Sequence, residues 1–269
     1  MKAMSWGVRL LAALIAAGLA AAPAGAADKI DALSRARAFY NAHQYQAAVD
    51  AAEQARLVPG RADSADLIAA RAYLERFRDS AASDDLTNAR ERLRRLDPQR
   101  LPPRERLEFI VGLGEALFFD GAYGAAADVF DSVLPRTDLE PASRERALDW
   151  WATAIDRNAR PRSELERQPM YARIHQRMQE ELGIFPSSAA AAYWLAASAR
   201  GQGDLQAAWD AAQAAWARSS LATDHGEGLR TDIDRLVLHA LVPERAKATA
   251  QEPERLRQEW ERFKDRWKK

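Results

Sequence analysis

One recurrence constrains this sequence more than any other feature. Pairs of amphipathic helical stretches, each pair closed by proline or glycine, follow one another at a period of roughly 34 to 45 residues. Residues 30–42 carry apolar side chains at 30, 33, 36, 39 and 40; His43-Gln44 makes a turn and residues 45–57 repeat the pattern before Val58-Pro59-Gly60. The second pair is expected at 65–77 and 85–96, with a polar loop at 78–84 between them and Asp97-Pro98 as the stop. The third runs over 107–119, turns at Asp120-Gly121-Ala122 and continues over 123–134 to Pro135. The fourth spans 143–157 and, after a polar stretch, 169–182; the fifth spans 188–200 and 205–219 around Gly201-Gln202-Gly203-Asp204. A helix pair cannot bury its apolar face alone, so tandem pairs must stack.

Composition agrees with helix. The 269 residues contain 13 glycines and no cysteine, and alanine and charged residues dominate. Without cysteine the chain has no disulfide, thiolate zinc site, iron–sulfur cluster or cysteine nucleophile. Basic and acidic residues balance at 39 each, which argues against a nucleic-acid binder.

Residues 1–26 read as a secretory signal peptide. Lys2 and Arg9 flank a short first region, residues 10–22 are an unbroken apolar run, and Pro23 precedes Ala24-Gly25-Ala26. The run is shorter than the ~20 residues of a permanent membrane helix. Cleavage is expected near Ala27 or Asp28, leaving a periplasmic or secreted chain with no lipid anchor and no membrane span. Lysine occurs only at 2, 29, 247, 264, 268 and 269, so arginine carries nearly all the positive charge, a bias typical of GC-rich bacterial sequences.

Residues 113–126, Leu-Gly-Glu-Ala-Leu-Phe-Phe-Asp-Gly-Ala-Tyr-Gly-Ala-Ala, resemble the heart of a tetratricopeptide repeat. That family places a small residue in its first helix, Gly-x-Tyr at the turn and a small residue soon after, so that two helices approach closely. Ala36, Tyr45, Ala48 and Ala55 follow the same scheme, as do Ala196, Gly203, Leu205, Ala208 and Ala215, with leucine at the turn aromatic. The second pair keeps Ala70, Tyr73, Ala89 and Pro98, and the fourth keeps only its first helix, around Trp151, Ala152 and Ile155. The resemblance implies an all-α fold: a right-handed superhelical solenoid of about five antiparallel helix pairs over residues 28–222. A C-terminal helical cap is expected over 223–269.

In that cap, residues 231–241 are expected to form a helix ended by Pro243. A last helix over 253–267 sets Leu256, Trp260, Phe263 and Trp267 on one stripe, against a charged opposite face.

Catalytic patterns are scarce. His43, His175, His225 and His239 lie far apart, and neither a zinc-binding His pair, a nucleophile elbow nor a phosphate-binding glycine loop is present. Asp224-His225-Gly226-Glu227-Gly228 is the one loop with an acid, an imidazole and flexible glycines together. No metal and no cofactor is expected.

In the family resembled, the first helices of the pairs line a ligand groove. Carried onto this sequence, the positions are Arg37, Tyr40, Asn41, Arg71, Leu74, Glu115, Phe118, Asp149, Thr153, Asp156, Tyr193 and Arg200. This mixture suits an extended or helical peptide and lacks the Lys/Asn clamp for a chaperone's C-terminal carboxylate. The leading expectation is a non-catalytic exported adaptor for another protein or peptide, with weak self-association and no nucleic-acid partner. The alternative is an all-helical envelope enzyme, or its accessory domain, acting on cell-wall or other glycan; that reading demands a buried cluster of titrating groups.

Overall fold

The computed structural model describes residues 31–136, 139–222 and 226–267. The signal segment, Asp224 and His225 lie outside the described residues. Every regular element among the described residues is helical. The pairs are α1 (Ala32–Asn41) with α2 (Tyr45–Arg56), α3 (Ala62–Ser80) with α4 (Ser83–Arg95), and α5 (Pro103–Phe119) with α6 (Tyr123–Asp131). They continue with α7 (Pro141–Ala159) and α8 (Glu164–Ile184), then α9 (Ala189–Gly201) and α10 (Leu205–Arg218). The C-terminal part holds α11 (Glu227–Leu236), α12 (Val242–Thr249) and α13 (Pro253–Trp267).

Three of the turns have the same hydrogen bonds. His43, Gly121 and Gly203 adopt left-handed backbone at φ 57, 78 and 81. In each, that residue's N–H donates to the carbonyl three positions back (Tyr40, Phe118, Arg200), and the next N–H donates five back (Phe39, Leu117, Ala199). These are the two bonds of a Schellman cap, and they satisfy carbonyls that the helix end orphans. Seven residues before each turn lie Ala36, Gly114 and Ala196; five after lie Ala48, Ala126 and Ala208. All six are buried. Pairs one, three and five are therefore equivalent in register and in turn geometry.

Each helix packs on the next in the chain, and the first helices also pack on one another in the series α1–α3–α5–α7–α9–α11. No second helix among α2 to α10 packs comparably on the following second helix. The core is correspondingly a chain of adjoining clusters, from Leu33 and Ala69 through Leu74 and Leu93 to Trp151 and Ile174. It ends on Trp209, Ile233 and Trp260.

Several boundaries differ from expectation. The polar loop at 78–84 is absent: α3 runs to Ser80 and only Ala81 and Ala82 separate it from α4. Left-handed Ala81 donates to the Phe77 carbonyl at 2.7 Å and closes the helix without glycine. Helix α6 stops at Asp131, three residues early, and a turn carries Val133 and Leu134 into the core. Helix α8 begins at Glu164, so Pro169 lies inside it; a capping box between Ser163 and Glu166 starts the helix ahead of the proline. Pro243 does not terminate a helix either. Val237–Leu241 forms a π-helical turn joining α11 to α12, with Pro243 in the first turn of α12, where its missing N–H is tolerated.

Candidate functional site: cavities along the first helices

Four cavities adjoin the first helices and neighbouring ones share wall residues; the last of them is walled mainly by α8 and the turn after α9. The first, about 410 Å³, is walled by Arg37, Tyr40 and Asn41 of α1, Ile68 and Arg71 of α3, and Arg104, Glu105 and Glu108 of α5. The second, about 760 Å³, shares Tyr40, Asn41, Arg71, Arg104 and Glu108 with the first and extends to Arg136, Glu140, Ser143 and Arg146. Arg146 also lines the third, about 580 Å³, which holds Asp149, Trp150, Thr153, Asp156, Tyr193 and Asp232. Asp156 and Arg160 lead on to the fourth, about 520 Å³, which reaches Arg200 and Glu244. By these shared wall residues the cavities form one series, the channel, from α1 to α12.

Its first half is organised around Tyr40 and Arg71. The Arg71 guanidinium stacks over the Tyr40 ring at 4.6 Å from the centroid and donates to Glu108 at 3.0 Å, while its Nε has no partner. The Tyr40 hydroxyl donates to Glu75 at 3.3 Å, and Arg78 lies against the other Glu75 oxygen. Burial pushes the Tyr40 phenol above its ordinary value, with Arg71 pulling the other way. Glu105 accepts from Arg37 and, at 2.6 Å, from Ser64. Glu115, on α5, faces this cluster. Its side chain keeps some solvent contact but is so surrounded by protein that burial pushes its carboxyl up to about 7, against the opposing pull of Arg71.

The second half mixes carboxylates, arginines and aromatic rings. Asp149 accepts from the Trp194 indole N–H at 2.8 Å, and burial holds its carboxyl above the ordinary value. Asp156 accepts from the Tyr171 hydroxyl at 2.9 Å and pairs with Arg160 at 2.6 Å. Burial, aided by Asp156, pushes the Tyr171 phenol up to about 12. Tyr193 rises too, through burial and then Asp232. Arg200 holds Glu244 with Nη2 at 2.6 Å and Nε at 2.9 Å, which ties α9 to α12.

Nine of the twelve residues expected in a groove line this channel: Arg37, Tyr40, Asn41 and Arg71 at one end, and Asp149, Thr153, Asp156, Tyr193 and Arg200 at the other. Leu74 does not. It is 1% exposed and packs inward among the residues of α3 and α4, because it lies on the face of α3 that meets its own partner helix. Phe118 is spent on aromatic packing, edge-on to Trp150 at 4.8 Å and Tyr123 at 5.1 Å. Glu115 sits beside the Tyr40–Arg71 cluster and lines none of the four cavities.

Sequence reasoning missed Arg104, Glu108, Arg146, Arg160 and Glu244. For two of them a signal was present: 146, 149, 153, 156 and 160 are spaced 3, 4, 3 and 4, one face of one helix. Arg104 and Glu108 form a similar i,i+4 pair, closing at 3.6 Å. Among the described residues no group of His, Asp and Glu is arranged to hold a metal ion, and no helix is long and apolar enough to cross a membrane.

Comparison with protein-family models, with curated proteins and with solved structures finds no match to this chain.

Proposed function

We propose that this protein is an exported, tetratricopeptide-type adaptor whose helix pairs wind into a right-handed superhelix and hold another polypeptide along the inner surface. The observation that carries the reading is the continuity of the four cavities, each sharing wall residues with the next from Arg37 to Glu244. A series of adjoining cavities suits an elongated ligand better than a compact one, which needs a single deep pocket. First helices that pack on each other, while second helices do not, are what curvature toward the first-helix side would produce. The repeated Schellman turns and buried small residues support the family reading, because each equivalent pair repeats the same step.

The glycan-enzyme alternative draws on Glu115, the carboxyl pushed up to about 7. Hydrolysis of that kind needs a second carboxylate across an open cleft. Glu75, the acid facing Glu115 from α3, is already engaged by Tyr40 and Arg78. We therefore favour binding over catalysis.

Export is tested separately from binding. N-terminal sequencing of the protein from its producing bacterium should begin near Ala27 or Asp28; recovery of Met1 in a membrane fraction would mean that the segment is an anchor.

A further inference from the structure

Taken together, the first two cavities carry an unbalanced set of charges. Besides Arg136, which has a partner of its own, four guanidinium groups (Arg37, Arg71, Arg104 and Arg146) meet three carboxylates (Glu105, Glu108 and Glu140). Two of those carboxylates have prior commitments. Glu105 is held by Arg37 and Ser64. Glu108 is divided between Arg71 at 3.0 Å and Arg104 at 3.6 Å. Glu140 is the N-cap residue of α7 and, without a side-chain capping bond, meets only the general pull of the helix N-terminus. Arg146 forms no ion pair with another described residue, and the buried Arg71 Nε–H donates to nothing. The buried Arg71 donor costs free energy while unpaired, whereas the exposed Arg146 faces solvent.

Resting on the polypeptide-binding reading, we propose that the bound polypeptide is acidic, with an aspartate or glutamate side chain seated in the cavity that Arg71 and Arg146 share. An incoming carboxylate pairs with Arg146 beside the Arg71 guanidinium and balances the fourth positive charge. Arginine suits the task because its planar fork can meet a carboxylate with two parallel hydrogen bonds.

A proton follows from the geometry. The charged and titratable groups around Glu115 are Tyr40 from α1, Arg71, Glu75 and Arg78 from α3, and Arg146 from α7. Without a ligand, Arg71 and Arg146 both favour the ionised Glu115. A second carboxylate drawn to those guanidinium groups competes with it and drives Glu115 to its protonated form. Because that carboxyl already titrates at about 7, the protonated fraction changes about tenfold between pH 8 and pH 6. Glutamate side chains of the ligand stay ionised across that range.

The probes are three dye-labelled, end-blocked decapeptides of alternating Glu-Ala, Gln-Ala and Lys-Ala, titrated into the mature protein by fluorescence anisotropy. The Glu peptide should bind best, and about tenfold more tightly at pH 6 than at pH 8. Arg146→Ala removes an exposed side chain and should weaken binding about tenfold, the scale of one charge-assisted hydrogen bond. Glu115→Gln should bind at pH 8 as the unaltered protein binds at pH 6, with its pH dependence gone. Tighter binding of the Lys or Gln peptide would overturn the acidic-ligand inference and leave the groove reading standing, as would a Glu peptide indifferent to Arg146→Ala. Failure of all three peptides up to millimolar concentration would overturn both.

Discussion

Gly114 and Phe130 lie so close that they fix the crossing of α5 and α6. A Cβ at Gly114 would come within 2.6 Å of Phe130 Cζ, and the ring, itself fully buried, has no room to retreat. The three nearest atoms to such a Cβ are Cζ, Cε1 and Cε2 of the Phe130 ring, so the absence of a side chain at 114 leaves the space that the ring fills. Gly114→Ala should lower stability by about 1–3 kcal/mol through overpacking, and Gly114→Leu by more, measured by urea unfolding. The control is Gly183 in α8, where an added Cβ meets nothing within 4 Å; Gly183→Ala should be neutral or stabilising by up to about 1 kcal/mol.

The C-terminal stripe is divided between burial and solvent. Leu256, Trp260 and Phe263 are buried, whereas Trp267 is 52% exposed. Trp260 packs edge-on against Trp209 and Trp216 and donates its indole N–H to Asp234 at 2.6 Å. Lys264 reaches the same carboxylate at 3.0 Å and raises its own affinity for a proton through these partners, although burial opposes it. Trp260→Ala should therefore cost about 3–5 kcal/mol and promote self-association through the uncovered flank. Trp267→Ala should leave the melting temperature almost unchanged. Equal losses at the two tryptophans would contradict this placement of the cap.

Much of this organisation is legible in the sequence. The helix pairs, the turns at His43, Gly121 and Gly203, and the buried row Ala36, Ala48, Gly114, Ala126, Ala196 and Ala208 all follow from helical period and residue size. Boundaries are less legible where a local rule has a competing solution. Ala81 ends a helix in left-handed backbone although it is not glycine. Pro169 and Pro243 read as breaks, yet a capping box and a π turn carry the helices past them. Of the twelve positions matched from first helices, nine line the cavities and Leu74, Glu115 and Phe118 do not, because position in a repeat does not reveal which helix face it meets. The pairing of Glu108 with Arg71 and Arg104 depends on contacts between helices, which one sequence does not display.

The ion pair between Arg144 of α7 and Glu181 of α8 offers a third test. Glu181 is 2% exposed and accepts from two nitrogens of Arg144, at 2.6 Å for Nη2, while Nη1 donates to the Leu134 carbonyl at 3.1 Å. Arg144 also stacks on Phe185 at 4.9 Å. Arg144→Ala leaves a buried carboxylate uncompensated and should cost about 3–5 kcal/mol. The double variant Arg144→Met/Glu181→Leu should recover a large part of that loss, as read by thermal unfolding.

Glu115 links stability to pH. Its folded-state carboxyl titrates at about 7, against 4.5 for the ordinary side chain, so the folded protein holds this proton more tightly than the unfolded chain. The stability it contributes is complete below about pH 4.5 and is lost as pH rises through about 7. Glu115→Gln cannot lose that proton. At pH 8 it should be more stable than the unaltered protein by on the order of 1–3 kcal/mol, and at pH 4.5 the two should melt alike. A variant less stable at pH 8 would show that the ionised carboxylate makes a favourable contact.

Whether one polypeptide lies along the whole row of first helices is decided most directly by site-specific photo-cross-linking. A benzophenone side chain is placed singly at Asn41, Thr153 or Arg200 along the channel and at Gln54 or Asp210 on second helices, then irradiated in extract of the producing cells. The account predicts that the three channel positions capture the same partner chain, with the cross-linked peptides advancing in order along one segment of it, and that the second-helix positions do not. Capture of that chain equally from Gln54 and Asp210, or different chains at each channel position, would contradict it.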